Sequence, residues 1–208
     1  AFENPEVDAV LGLHIGNLAE DTKDGQVIYS MGSMMACLDR FKIVVKGKGC
    51  HGAFPQNGVD PMPVAAAIIS NLQTIITREL APTDPAVISV CIVQAGSAYN
   101  VIPGEVVLEG TARAVDQKVR EKIADRIGVI AKGICEAMRC TCDYEYIFGY
   151  PPVVNDPEFT AQFVESAKKV VPSEDIVEMK KPVMGGEHMS YFLNEVPGTF
   201  IFLGSLNP

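Results

Sequence analysis

Hydrophobic and polar positions alternate along some stretches of the chain and recur at helical spacing in others. "VDAVLGLHIG" (7–16) reads as a short buried strand ending at His14, and "MMACLDRFKIVVKG" (34–47) as a longer strand. Asp60 and Pro61 then supply an N-cap and a first-turn proline, and Val64, Ile68, Leu72, Ile75 and Ile76 keep helical spacing behind them. "AVISVCIVQAG" (86–96) is a strand between prolines and a glycine. "GEVVLEGTARA" (104–114) alternates, with Val106, Leu108, Gly110 and Ala112 on one face and Val107, Glu109, Thr111 and Arg113 on the other. Asp116 caps a second helix whose apolar face is Val119, Ile123, Ile127, Ile130 and Ile134, and "CTCDYEY" (140–146) is a further alternating strand.

From about Met34 to about Phe148 the order is strand, helix, strand, strand, helix, strand. That is the split βαβ arrangement, two helices on one face of a four-stranded antiparallel sheet. Its other face is left for solvent, a second domain or a second subunit. "GYPPVVNDP" (149–157) reads as a rigid linker. Asp156 and Pro157 start another helix with Phe159, Phe163, Ala167 and Val170 as its stripe; "MGGEHMSYFLNEV" (184–196) suggests a glycine turn and a short helix, and "GTFIFLG" (198–204) a strand. Residues 1–33 and 149–208 therefore read as pieces of an α/β layer into which residues 34–148 are inserted.

Composition narrows the possible partners. The 208 residues are 48% hydrophobic, enough for a core, and carry a formal charge of −9 with no tryptophan. There is no block of Lys or Arg, which speaks against nucleic acid and anionic membrane surfaces. The apolar runs, such as Val64 to Ser70, are far shorter than the ~20 residues a membrane span needs. No basic region followed by an apolar stretch opens the chain, so no signal peptide is visible. None of the six cysteines forms a C-x-x-C pair, and they read as reduced, buried thiols of a cytoplasmic protein.

Candidate chemistry centres on three histidines, His14, His51 and His188, none at H-x-x-x-H spacing from another. His14 ends a strand, where α/β layers place ligands; the alternative is a hydrogen-bonded core histidine. His51 lies in "KGKGCHGAFP" (46–55), where Gly47, Gly49 and Gly52 allow an unusual backbone path. Such a bend presents a side chain to a cleft, or is an ordinary strand end with a solvated imidazole. Cys50 beside His51 does not make a catalytic dyad, because neighbours on an extended chain point to opposite sides.

The segments "GLHIG", "KGKGCHGAFPQNGVDP", "NVIPGEVVLEGTARA", "YPPVVND" and "MGGEHMSYF" occur here in one order and spacing. In this combination the chain resembles the metal-dependent amidohydrolases that include aminoacylases, hippurate hydrolases and indole-acetyl-amino-acid hydrolases. The resemblance implies an α/β catalytic domain, incomplete here (1–33 and 149–208), interrupted by a ferredoxin-like lid (34–148) that forms a homodimer. It implies two divalent metal ions, Zn, Mn, Co or Ni, sharing a water that attacks the amide of an N-acyl amino acid or peptide-like substrate. His14 corresponds to a metal ligand and His51 to a lid histidine that reaches a partner subunit's active site and stabilises the oxyanion. Asn100, Arg113 and Glu187 correspond to substrate-side positions.

Two departures accompany the resemblance. The family's late glycine turn usually reads Glu-Asp, and here it reads Glu187-His188. The family's paired glutamates, its Cys or Asp with a nearby His, and its final ligand histidine have no counterpart. The chain thus reads as the middle and later part of such an enzyme, a fragment expected to hold neither two metals nor amidase activity on its own. The alternative function is a non-catalytic dimerisation or ligand-binding module built on the ferredoxin-like unit.

Overall fold

Aspartates fix where the helices begin. The Met62 amide donates to Asp60 at 2.9 Å and Pro61 opens that helix; Asp116 accepts from the amides of Lys118 and Val119 at 2.8 and 3.0 Å. Each bond satisfies an amide that has no partner inside its helix. The computed structural model describes residues 6–19 and 22–205; both chain ends, on which the fragment expectation rests, lie outside the described residues. The chain divides into two units, Ala1–Leu38 with Tyr150–Pro208, and Asp39–Gly149.

The first unit opens with β1 (Val10–Ile15), β2 (Val27–Tyr29) and β3 (Ser33–Met35). The second unit holds β4 (Asp39–Lys46), β5 (Cys50–His51), α1 (Pro61–Thr74), β6 (Ala86–Ala95), β7 (Val101–Ile102), β8 (Glu105–Ala114), α2 (Gln117–Ala137) and β9 (Thr141–Ile147). The chain then completes the first unit with β10 (Val153–Val154), α3 (Pro157–Ala167), β11 (Ile176–Glu178), α4 (Met189–Leu193) and β12 (Gly198–Leu203).

In the second unit the sheet order is β6-β8-β4-β9, antiparallel throughout. Alternation decides its faces. Phe41, Ile43, Val45, Val106, Leu108 and Ala112 are buried with Val64, Ile68 and Leu72 of α1 and Ile123, Ile127 and Ala131 of α2. The opposite face is mixed: Lys42 meets Glu109 at 3.3 Å and Lys46 meets Asp143 at 2.5 Å, with Val87, Ile92 and Ile147 exposed among them. The buried stripe of α2 is Arg120, Ile123, Ala124, Ile127, Gly128, Ala131 and Cys135, turned from the expected stripe, so that Ile130 and Ile134 are only half-buried. The reason is close contact: a Cβ on Gly128 would lie 2.7 Å from the Tyr144 ring, so small residues face β9.

Asp39 and Arg120 form a buried ion pair. The Arg120 Nε and Nη2 donate to the two Asp39 oxygens at 2.8 and 2.7 Å, and the Tyr146 hydroxyl and Gly149 amide add bonds of 2.9 Å each. Arg120 Nη2 also donates to the Gly149 carbonyl at 2.9 Å, and the guanidinium lies 5.0 Å from the Phe148 ring centroid. Asp39 and Gly149 are the first and last residues of the unit.

In the first unit the sheet order is β1-β12-β2-β11. β12 is central, parallel to β1 and antiparallel to β2. Ile28, Met34, Met35, Val153, Phe200 and Phe202 form its core. Asn155 ties the layer together: its Oδ1 accepts from the Phe200 amide at 2.8 Å, and its Nδ2 donates to the carbonyls of Ser30 and Phe200 at 2.9 Å each.

Four expectations are corrected here. β1 is an edge strand, not a buried one: Leu11, Leu13 and Ile15 are more than half exposed because, among the described residues, only β12 pairs with it. The stretch 34–47 is two strands, since Met35 pairs with Val153 of β10 while Asp39 starts β4. The 149–157 segment is not a free linker; it contributes β10 and the buried Asn155. Val170 lies beyond the end of α3 and is exposed. No helix among the described residues is long and apolar enough to cross a membrane.

Removing one member of a buried ion pair leaves the other charge unpaired, at a cost of about 3–5 kcal/mol, whereas replacing both with apolar residues costs far less. Arg120→Met is therefore expected to lower the urea-unfolding stability of the second unit by about that amount. The double variant Asp39→Leu/Arg120→Met should lose clearly less than the two single losses combined. Thiol labelling is a second check. Cys91 is exposed on β6, which corrects the expectation that all six thiols are buried. Burial first, and the neighbouring Cys142 second, push the Cys135 thiol up to about 12. A disulfide reagent at pH 8 should label Cys91 in the native chain and reach Cys37, Cys135 and Cys140 only on unfolding.

Candidate functional site

His14 lies near the C-terminal end of β1, opposite Phe202 in the ladder, with the two rings edge to face at 6.5 Å. The glycine turn before α4 brings Glu187 to it. Gly186 permits that turn, because a Cβ there would stand 2.8 Å from the Leu38 side chain. The Ser190 hydroxyl then donates to the Glu187 carbonyl at 2.8 Å. The Glu187 carboxylate, 14% exposed, lies 3.1 Å from His14 Nδ1 through Oε2. Its Oε1 accepts from the His188 amide at 2.7 Å and meets the His188 ring. Burial pushes the Glu187 carboxyl up, but the bonds from His14 and His188 outweigh it and hold the group below the usual carboxylate range.

That contact has a chemical consequence. An ionised carboxylate only accepts hydrogen bonds, so His14 Nδ1 carries the proton and Nε2 of the neutral ring keeps its lone pair. His188 rests against aromatic rings, 6.2 Å from Tyr150 and 6.3 Å from Phe192, with Tyr150 edge-on to Tyr191 at 5.9 Å.

In the second unit His51 ends β5, which pairs with β7. The Ala53 amide donates to His51 Nδ1 at 3.1 Å, so the neutral ring carries its proton on Nε2. His14 thus offers a lone pair and His51 a donor. Asn100 lies beside this turn, its carbonyl accepting from the Gly52 amide at 2.7 Å. Arg113 is on β8 opposite Val87, on the sheet face of Glu109 and Thr111. The glycines act differently from the expectation. Positive φ among glycines occurs at Gly16, Gly25 and Gly96, not in the 46–55 stretch. What Gly47 and Gly52 permit is close approach: a Cβ on them would lie 2.2 Å from the Val59 carbonyl and 3.2 Å from the Asn100 carbonyl.

His14 fits a metal centre as one ligand: its imidazole stands at a strand end with a carboxylate behind it, the usual support of a metal-binding histidine. Among the described residues no group of three or more His, Cys, Asp or Glu side chains is placed to hold an ion. The rest of a dinuclear centre is therefore not assembled by them. The sequence reading missed the Glu187–His14 contact, which spans 173 residues. The acid directly after Gly185-Gly186 was its only local signal.

The sequence profile of Peptidase family M20/M25/M40 matches residues 1–207. The chain is similar to the N-acetyl-L-cysteine deacetylase of Bacillus subtilis, 36% identical over 199 residues, 96% of this chain and 46% of that protein. It is similar to thermostable carboxypeptidase 1 of Saccharolobus solfataricus, 35% identical over 202 residues, 97% of this chain and 50% of that protein. A solved dinuclear metal-binding M20 peptidase from Bacillus subtilis superposes with a TM-score of 0.76 at 29% identity, covering 97% of this chain and 49% of that one. The chain spans about half the length of these relatives.

Overpacking a tight contact typically costs about 1–3 kcal/mol. Gly47→Ala should destabilise the second unit by about that much in urea unfolding, because its Cβ meets a backbone carbonyl that closes the Lys48–Val59 bridge. Unchanged stability would mean that the turn relaxes freely.

Proposed function

Because this chain belongs to Peptidase family M20/M25/M40, we propose that it forms part of a metal-dependent amidohydrolase that removes the acyl group from N-acyl amino acids or small peptide-like substrates. The observation that carries this reading is His14, at a strand end, with Nε2 left bare by the bond from Nδ1 to Glu187. The relatives named deacetylase and carboxypeptidase support the bond type, since both activities cleave an amide. They also favour an enzyme over a non-catalytic dimerisation or ligand-binding module.

In this reading residues 34–148 are a ferredoxin-like lid that joins two subunits, and residues 1–33 and 149–208 belong to the catalytic domain. The strand and helix order of the second unit supports the lid assignment. Two divalent ions, drawn from Zn, Mn, Co or Ni, would supply an activated water, with His14 as one ligand; among the described residues no group of three or more possible ligands completes the set. The chain's own residues bind and orient. His51 donates from Nε2 to the carbonyl oxygen as it gains charge, across the dimer. Arg113 receives the substrate carboxylate through its planar fork, and Asn100 holds the amide side. A cytoplasmic location is part of the same reading.

The test is a full-length version assayed against a panel of N-acyl amino acids with each of the four metals. Release of the free amino acid in a metal-dependent manner is expected, and no turnover with any metal would overturn the reading. In that enzyme His51→Ala should lower kcat by about 100- to 1000-fold with metal content unchanged, as loss of one oxyanion donor does. Unchanged kcat would make His51 a loop residue only.

A further inference from the structure

We propose that Glu187 is a positioning residue rather than a substrate ligand: it fixes the tautomer and direction of the His14 imidazole. This rests on the reading of His14 as a metal ligand only for its consequence, not for its geometry. The carboxylate is 14% exposed, and both its oxygens are engaged within the first unit, Oε2 with His14 Nδ1 at 3.1 Å, Oε1 with the His188 amide at 2.7 Å and with the His188 ring. A carboxylate spent on two imidazoles and a backbone amide has little capacity left for a substrate.

The arrangement is supported from behind. The His188 ring lies 6.2 Å from the Tyr150 ring and 6.3 Å from the Phe192 ring, and the Ser190 hydroxyl donates to the Glu187 carbonyl at 2.8 Å. The carboxylate is thus held by three contacts, from His14 Nδ1, the His188 amide and the His188 ring, while the His14 side chain is 45% exposed. A largely buried acceptor at Nδ1 selects the Nδ1–H form and leaves the lone pair on Nε2. Losing such a support typically costs about 10- to 100-fold in metal affinity.

The test has two readouts. Long-range proton–nitrogen NMR on the 208-residue chain at pH 8 reads the His14 tautomer directly. The native chain should show the Nδ1–H form, Glu187→Gln should largely keep it through its amide oxygen, and Glu187→Ala should move His14 towards the Nε2–H form. An Nε2–H tautomer in the native chain, or a spectrum that Glu187→Ala leaves unchanged, would overturn the proposal. Chelator competition on the full-length enzyme gives the second readout, with Glu187→Ala expected to weaken metal binding by about 10- to 100-fold and Glu187→Gln by less. If the tautomer depends on Glu187 but His14→Ala leaves metal binding unchanged, the positioning role stands and the metal-ligand reading falls.

Discussion

A carboxylate with no access to water constrains the second unit more than any other group. Asp39 is fully buried and receives four hydrogen bonds, two from Arg120, one from Tyr146 and one from the Gly149 amide. Burying such a charge is tolerable only when every lone pair is met. Those partners come from α2, β9 and the last residue of the unit, so the bonds form together only when the unit has closed. The Asp39 carbonyl adds a link to β8 through the Thr111 hydroxyl at 2.8 Å. The sheet contributes area and the helices a core, but the ion pair joins the two ends of the 39–149 segment.

The first unit solves the same problem with a neutral group. Asn155 is buried, and its amide bridges the central strand β12 and the Ser30 carbonyl. β12 is thereby pinned, and β1 is set beside it in parallel, which places His14 at the edge of the layer. In each unit one imidazole, His14 in the first and His51 in the second, has its neutral form chosen by a bond to Nδ1. A carboxylate behind His14 leaves a lone pair at Nε2, while an amide in front of His51 leaves a proton there. Opposite tautomers from opposite partners suit a ligand and an oxyanion donor respectively, the division of labour proposed for the enzyme.

Local chemistry made much of this legible. The starts of α1, α2 and α3 follow from Asp60, Asp116 and Asp156, because an N-cap bond spans two or three residues. The alternation of β4, β8 and β9 gave the faces of the sheet because pleating has a fixed period. What the sequence could not reveal depends on distant partners. The exposure of β1 is set by how many strands flank it. The division of 34–47 into two strands follows from distant pairing partners, Val153 for Met35 and Ala112 for Asp39. The glycines around His51 were identified correctly as special, but a sequence does not distinguish a left-handed φ from a carbonyl that leaves no room for a Cβ. Glu187 stands in a local motif, but its contact with His14 spans 173 residues and no local pattern encodes it.

The central structural claim is that the second unit closes as one cooperative body through Asp39. Native-state hydrogen exchange at the Gly149 amide measures this directly, because that N–H donates to Asp39 Oδ1 at 2.9 Å and belongs to no strand. The account predicts that Gly149 exchanges with the same free energy as the amides of β4 and β8, that of global unfolding of the unit. Exchange at the rate of an open turn, with β4 and β8 still protected, would contradict it.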